Sequence, residues 1–219
     1  MYRRVGEDVY IVGGPGYSDE SDAFVYLVDS ATPMIIDSGL GNKTERILDN
    51  IFETGIDPDS IEYLALTHCH IDHTGGAIFL KNRLNLRLIA HSLDCAALFN
   101  GDPVLTAANW YNIDISPVEI DIVLNGDSGC LAEEREVFWY HIPGHTPGSI
   151  AIVYQSRDKK VIFGQDIHGP LMKEFKSDRK EYVRSLKRLI DLQGDILCEG
   201  HYGVIEGRKQ IEKFIRQFL

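Results

Sequence analysis

Residues 67–73 read Thr-His-Cys-His-Ile-Asp-His and hold three of the chain's eight histidines beside one aspartate. Imidazole nitrogen and carboxylate oxygen are the donors that borderline divalent metals prefer. The familiar helical zinc site, with histidines at i and i+4 and glutamate at i+1, is absent. His68 and His70 are two apart, so they would diverge on a helix and can converge on an extended loop leaving a strand. Asp72 and His73 follow along the turn and can face a second point in space. That local pattern suggests two adjacent metals rather than one. A polar loop, or an adventitious surface metal site, is the bland alternative. A binuclear site needs more ligands than these four side chains, and the rest of the chain offers them.

Four further stretches stand out. His145 lies in Pro143-Gly144-His145-Thr146-Pro147-Gly148-Ser149, where two prolines and two glycines make a rigid loop that fixes one side chain in space. Asp166 and His168 lie in Gly164-Gln165-Asp166-Ile167-His168, and His201 ends Glu199-Gly200-His201. Asp37, in Ile36-Asp37-Ser38-Gly39, also follows a strand-like run, although a plain turn former reads the same way there. His168 and Tyr202 are within two residues of ligand candidates and are candidates for a proton donor or an oxyanion partner. His91 reads as a structural or surface histidine, and His141 as a packing residue or a structural hydrogen-bond partner.

The elements that must position these residues follow from hydrophobic periodicity. Short apolar runs at 9–12, 23–28, 34–36, 61–66, 86–90, 120–124, 136–142, 150–154, 161–163 and 195–198 read as strands. Asn42 and Glu45 have capping-box spacing before a helix whose face is Ile47, Leu48, Ile51 and Phe52, ended by Gly55. A second helix is expected over about 76–82. Asp178 and Glu181 open a third with Tyr182, Val183, Leu186, Leu189 and Ile190 on one face. Ile211, Phe214, Ile215, Phe218 and Leu219 mark the last. Residues 125–129 read as a tight turn. The irregular stretch 101–118, with Trp110 and Tyr111, is expected to line a pocket, or else to pack on the domain edge. The ligand candidates fall at successive strand ends, which brings distant positions together at one edge of a sheet.

The chain has 219 residues, 44% hydrophobic and 25% charged, with net charge −11 and a sequence pI near 5.1. That suits one sizeable α/β core. The acidic balance disfavours nucleic acid and anionic membrane as partners, leaving a small-molecule substrate. Lys173, Lys176, Arg179 and Lys180 form a short basic patch whose plainer reading is a solvated helix start. Four single cysteines without a Cys-x-x-Cys pair, no signal-peptide-like start and no long apolar run predict a cytoplasmic protein with reduced thiols. The oligomeric state is open at this level.

The run His68-Cys69-His70-Ile71-Asp72-His73 matches the H-x-H-x-D-H signature of the metallo-β-lactamase superfamily, which the chain resembles over nearly its whole length. Asp37, His145 in Pro-Gly-His-Thr-Pro-Gly-Ser, Asp166 in Phe-Gly-Gln-Asp and His201 in Glu-Gly-His match its other motifs in order. The resemblance implies a single α/β domain over 1–219, a four-layer αββα sandwich with the site at the shared edge of two sheets. It implies that His68, His70 and His145 hold one metal, that Asp72, His73 and His201 hold the other, that Asp166 bridges them, and that Asp37 supports the ligand loop. Two divalent ions, zinc before iron, would then carry a bridging hydroxide that attacks an ester, lactone, thioester or phosphoester. Asp72, Asp166 and His168 are the catalytic candidates. The flavodiiron branch has glutamate at the His70 position, the secreted β-lactamases carry a signal peptide, and glyoxalase II carries an extra C-terminal region, so these branches are not favoured. Nor are the RNA-processing branches, given the acidic charge. The rival functions are an iron-dependent oxidoreductase resembling persulfide dioxygenases and a non-catalytic metal-binding module.

Overall fold

Strands with apolar residues on both faces need cover on both faces, and the chain supplies it in four layers. The computed structural model describes residues 1–131 and 136–219. The first sheet runs in chain order: β1 (Arg3–Val5), β2 (Val9–Gly13), β3 (Val25–Val28), β4 (Met34–Ile36), β5 (Tyr63–Ala65), β6 (Arg87–His91) and β7 (Ile122–Leu124). Its first four strands pair antiparallel, and β4 to β7 pair parallel. Helices α1 (Thr44–Glu53), α2 (Ile71–Thr74), α3 (Ala77–Leu84), α4 (Ser92–Asn100) and α5 (Ala108–Tyr111) belong to its connections. The second sheet is built from β8 (Ser128–Cys130), β9 (Val137–His141), β10 (Ile150–Ser156), β11 (Lys159–Phe163), β12 (Ile196–Glu199) and β13 (Gly203–Glu206). Its spatial order is β13-β12-β11-β10-β9-β8, with only β11 and β12 parallel. Helix α6 (Arg179–Asp191) crosses between β11 and β12, and α7 (Arg208–Ile215) follows β13.

The period of two along each strand sorts side chains between cores. Val9, Ile11, Tyr26, Val28, Met34 and Ile36 face inward and join Trp139, Ile152, Tyr154, Val161 and Phe163 of the second sheet in one cluster. Tyr10, Val12, Leu27, Ile35, Leu64 and Leu88 face outward under Ile47, Leu48 and Ile51 of α1 and Leu80 of α3. Ala151, Val153, Ile162 and Leu197 face the other way, under Tyr182, Leu186 and Leu189 of α6 and Ile211 and Ile215 of α7. The architecture is the expected four-layer αββα sandwich. No helix among the described residues is long and apolar enough to cross a membrane.

Several local expectations need correction. Helix α1 starts at Thr44 with Lys43 as its N-cap and no side-chain cap bond, so Asn42 and Glu45 form no capping box. Residues 128–130 are a strand paired with β9 rather than part of a turn. Helix α4, α5 and the edge strands β1 and β13 had no counterpart in the periodicity. Asp178 does cap α6, accepting from the N–H groups of Lys180 and Glu181.

Candidate metal centre

The donor residues follow the C-terminal ends of β4, β5, β9, β11 and β12. The chain leaves β4 through Asp37, whose φ of +60° turns the carboxylate back under β5. Asp37 accepts from Thr67 N (2.8 Å) and Thr67 Oγ1 (2.8 Å) and lies 2.7 Å from His73 Nδ1. One buried carboxylate thus ties the start of the histidine loop to its end. His70 then caps α2 in extended backbone, and the single helical turn of α2 carries Asp72 and His73. The sequence anticipated a loop and a later helix; the helix begins inside the motif.

The same logic fixes which nitrogens are free. His73 Nδ1 donates to Asp37, leaving Nε2 as the open position. His145 Nδ1 lies 2.9 Å from the Pro170 carbonyl, which can only accept, so its Nε2 carries the lone pair, 3.0 Å from His70 Nδ1. Thr67 Oγ1 donates to Asp37 and can accept from His68 Nδ1 at 3.3 Å, which frees His68 Nε2. Burial, reinforced by the neighbouring histidines, pushes the imidazole pKa of His68 well down and that of His70 to about 3, so both rings are neutral at pH 7.

The free atoms converge on Asp166, itself in left-handed backbone at φ +49° after β11. Its Oδ2 lies 3.2 Å from His145 Nε2 and 3.6 Å from His68 Nε2. Its Oδ1 lies 3.0 Å from His73 Nε2 and 3.3 Å from His201 Nε2. His201 Nε2 is also 3.3 Å from Asp72 Oδ2. Two donor groups result: His68, His70, His145 and Asp166, and Asp72, His73 and His201, each with its donor atoms within 4.8 Å of one another. Burial raises the Asp166 carboxyl, but His73 and His68 outweigh it and hold its pKa well below the ordinary range. Burial opposes the charging of His201, and the Asp166 and Asp72 carboxylates beside it nevertheless lift its pKa to about 10.

The donor set fits a metal on a second count. His68 Nε2, His70 Nε2, His73 Nε2 and Asp166 Oδ1 are buried with no hydrogen-bond partner. Native interiors rarely tolerate one such atom, and four in one place mark a cation site. Gly200 lets the last strand approach: a Cβ there would sit 2.9 Å from Asp166 Oδ1 and 2.7 Å from Gln165 Oε1.

Two carboxylates carry structural weight that the sequence did not reveal. Asp94, buried in α4, accepts from Cys69 N (3.0 Å), Thr146 Oγ1 (2.7 Å) and Gly148 N (2.7 Å), so it clamps the loop of His68 and His70 to the loop of His145. Glu199, fully buried, accepts from His201 N (2.7 Å) and Tyr202 N (2.9 Å) and holds His168 Nδ1 at 2.8 Å. His168 is therefore oriented beside the centre, and its donor atoms group with those of Asp166 and His201. Tyr202 is mostly exposed, its ring 5.3 Å from that of His168. His91 and His141 are not in the centre. They stack on each other at 4.0 Å, and His141 Nε2 bonds the Pro147 carbonyl; His91 is buried, so its structural reading holds and its surface one does not.

A cleft of about 180 Å³ opens on the centre, lined by His70, Asp72, Asp166, His168 and His201 on its floor. Ala107, Trp110, Tyr111, Pro170 and Phe175 complete its lining, with the Trp110 and Phe175 rings in contact. The stretch 101–118 lines this cleft as expected, together with residues of 167–177, while 13–22 does not. That third segment braces from below, through Asp22, which accepts from Leu40 N at 2.7 Å.

Comparison with known proteins agrees with this geometry. Residues 19–201 match the metallo-β-lactamase superfamily profile. The chain is 29% identical over 148 residues to "Probable metallo-hydrolase MJ0888" of Methanocaldococcus jannaschii, a match that spans 66% of each chain. It is 24% identical to the human acyl-coenzyme A thioesterase MBLAC2 (92% of this chain, 80% of the relative). It is 28% identical to the hydroxyacylglutathione hydrolase GloC of Haemophilus influenzae (85% and 89%). In structure it superposes on a metallo-β-lactamase from Cronobacter sakazakii mutated in its HARLDQ motif, with TM-score 0.78 and 22% identity, covering 99% of this chain and 93% of that one. The chain belongs to the metallo-β-lactamase superfamily. Within it, the intact histidine and aspartate set and the kinship to hydrolases make it a metal-dependent hydrolase. The match over most of GloC also means that the distance from His201 to the last residue does not set this chain apart from hydroxyacylglutathione hydrolases.

Proposed function

We propose that the chain, read as one domain over 1–219, is a two-zinc hydrolase that cleaves acyl thioesters. The observation that carries the two-metal reading is Asp166, whose two oxygens face two separate donor groups. His68, His70 and His145 would hold one ion, Asp72, His73 and His201 the other, with Asp166 shared. When bound, the pair would bring the pKa of a water at the centre to roughly neutral and polarise the attacked carbonyl. The thioester preference is supported by two relatives whose names describe removal of an acyl group from a thiol carrier.

In the overall reaction the acyl C–S bond breaks, a C–O bond to water forms, and the water's protons end on the thiol and in solvent. Asp72 orients the water with its carboxylate. His168, fixed through Nδ1 by Glu199, presents Nε2 to take one proton of the attacking water and pass it to the departing sulfur. Trp110, Tyr111 and Phe175 shelter the acyl group from water. The test is turnover of a simple acyl thioester by the metal-loaded protein. Hydrolysis that falls at least about a hundredfold in both His68→Ala and Asp166→Ala supports the reading. Oxygen uptake with a persulfide and no thioester turnover would overturn it.

A further inference from the structure

The wall of the cleft nearest α6 carries an unusual charge. The chain is strongly acidic, yet half of its 22 basic residues fall in the last 52, against eight of its 33 acids. That basic part supplies His168, Pro170, Phe175 and His201 to the cleft, while Asp72, Ala107, Trp110 and Tyr111 come from the acidic part. Phe175 is buried in the wall, and the residues on either side of its turn, Lys173, Glu174 and Lys176, are exposed at the rim.

The acids of this rim are engaged. Glu174 Oε1 takes the Trp110 indole N–H at 3.3 Å, Asp178 caps α6, and Glu181 pairs with Arg184 at 2.6 Å. Among the described residues the ammonium groups of Lys173 and Lys176 enter no ion pair, while Lys180 lies in the field of Asp178. Lys173 and Lys176 thus flank Phe175, a lining residue of the catalytic cleft, in a chain whose net charge is otherwise negative. Such a lip attracts an anionic part of a substrate while the acidic bulk repels it elsewhere. Lysine serves phosphate as a mobile point charge.

We propose that the thiol carrier of the substrate is a phosphorylated one, and that Lys173 and Lys176 hold its phosphates outside the cleft. The acyl group then lies against Trp110 and Phe175, whose rings are 4.9 Å apart, and the sulfur lies over the centre. This rests on the thioesterase reading, and it separates carriers of the coenzyme A kind from the unphosphorylated glutathione kind.

Binding of the product thiol tests the proposal without requiring turnover. Coenzyme A and pantetheine share the thiol end and differ in the phosphorylated nucleotide. Trp110 is half exposed in the cleft wall, whereas Trp139, the second tryptophan, is buried between the sheets, so indole fluorescence reports the cleft. At low salt, coenzyme A is expected to bind the metal-loaded protein at least about tenfold more tightly than pantetheine. The margin shrinks as salt screens the lip, and K173E/K176E brings coenzyme A down to pantetheine's affinity. Equal affinities in the unmodified protein would overturn the proposal. So would a preference that survives the double charge reversal, because the phosphates would then be held elsewhere. Absence of thioester turnover would count against the hydrolase reading alone and leave this contrast decisive.

Discussion

At the scale of single residues, the centre is defined by atoms with nothing to do except bind a cation. Three imidazole nitrogens and one carboxylate oxygen are buried and unpaired around Asp166. Gly200 permits that crowding, so Gly200→Ala is expected to push Asp166 aside and lower the metal content of the purified protein, measured by elemental analysis. A fully loaded Gly200→Ala protein would show that the last strand has room to give. His168 is expected to act on the substrate rather than on the metal, because Glu199 already occupies its Nδ1. His168→Gln should lower kcat for thioesters about tenfold to a thousandfold with metal content unchanged; loss of an ion instead would make it a ligand. All seven ligand candidates, and Asp37 beneath them, could be read from the sequence, because metal ligation needs a few residue types at fixed spacing. Asp94 and Glu199 could not. A carboxylate in Ser-Leu-Asp-Cys looks like a surface residue of a helix, and only the folded loops show what it bonds.

At the scale of elements, the inner strands were legible because both of their faces are largely buried and their apolar runs are continuous. Helix α4 was missed for the complementary reason. Leu93 and Phe99 are exposed, and its apolar residues do not gather on one face. Edge strands β1 and β13 carry charged and polar residues, and tertiary pairing rather than propensity makes them strands. What α4 contributes is Asp94, whose carboxyl is raised by burial despite three hydrogen bonds. Asp94→Ala strands the Cys69 and Gly148 N–H groups and unhooks both histidine loops. A loss of about 3 kcal/mol or more in denaturant unfolding is expected, with weaker metal retention. A variant that keeps both stability and metal would mean that the loops hold themselves.

At the scale of the whole molecule, two sheets meet along one edge, and the metals would be what finishes that edge. The ligand candidates come from both sheets: His68, His70, Asp72 and His73 from the first, His145, Asp166 and His201 from the second. A cation there therefore ties the two halves of the sandwich, and its removal leaves buried donors unsatisfied. Chelation should lower the thermal midpoint by roughly 10 °C, since binding at about a thousandfold above Kd contributes about 4 kcal/mol to a chain of this size. The most direct measurement is metal content per chain, by elemental analysis, on protein produced with zinc and iron both supplied. Two zinc ions per chain are expected, falling in Asp166→Ala. A single ion per chain, iron above all, would contradict that.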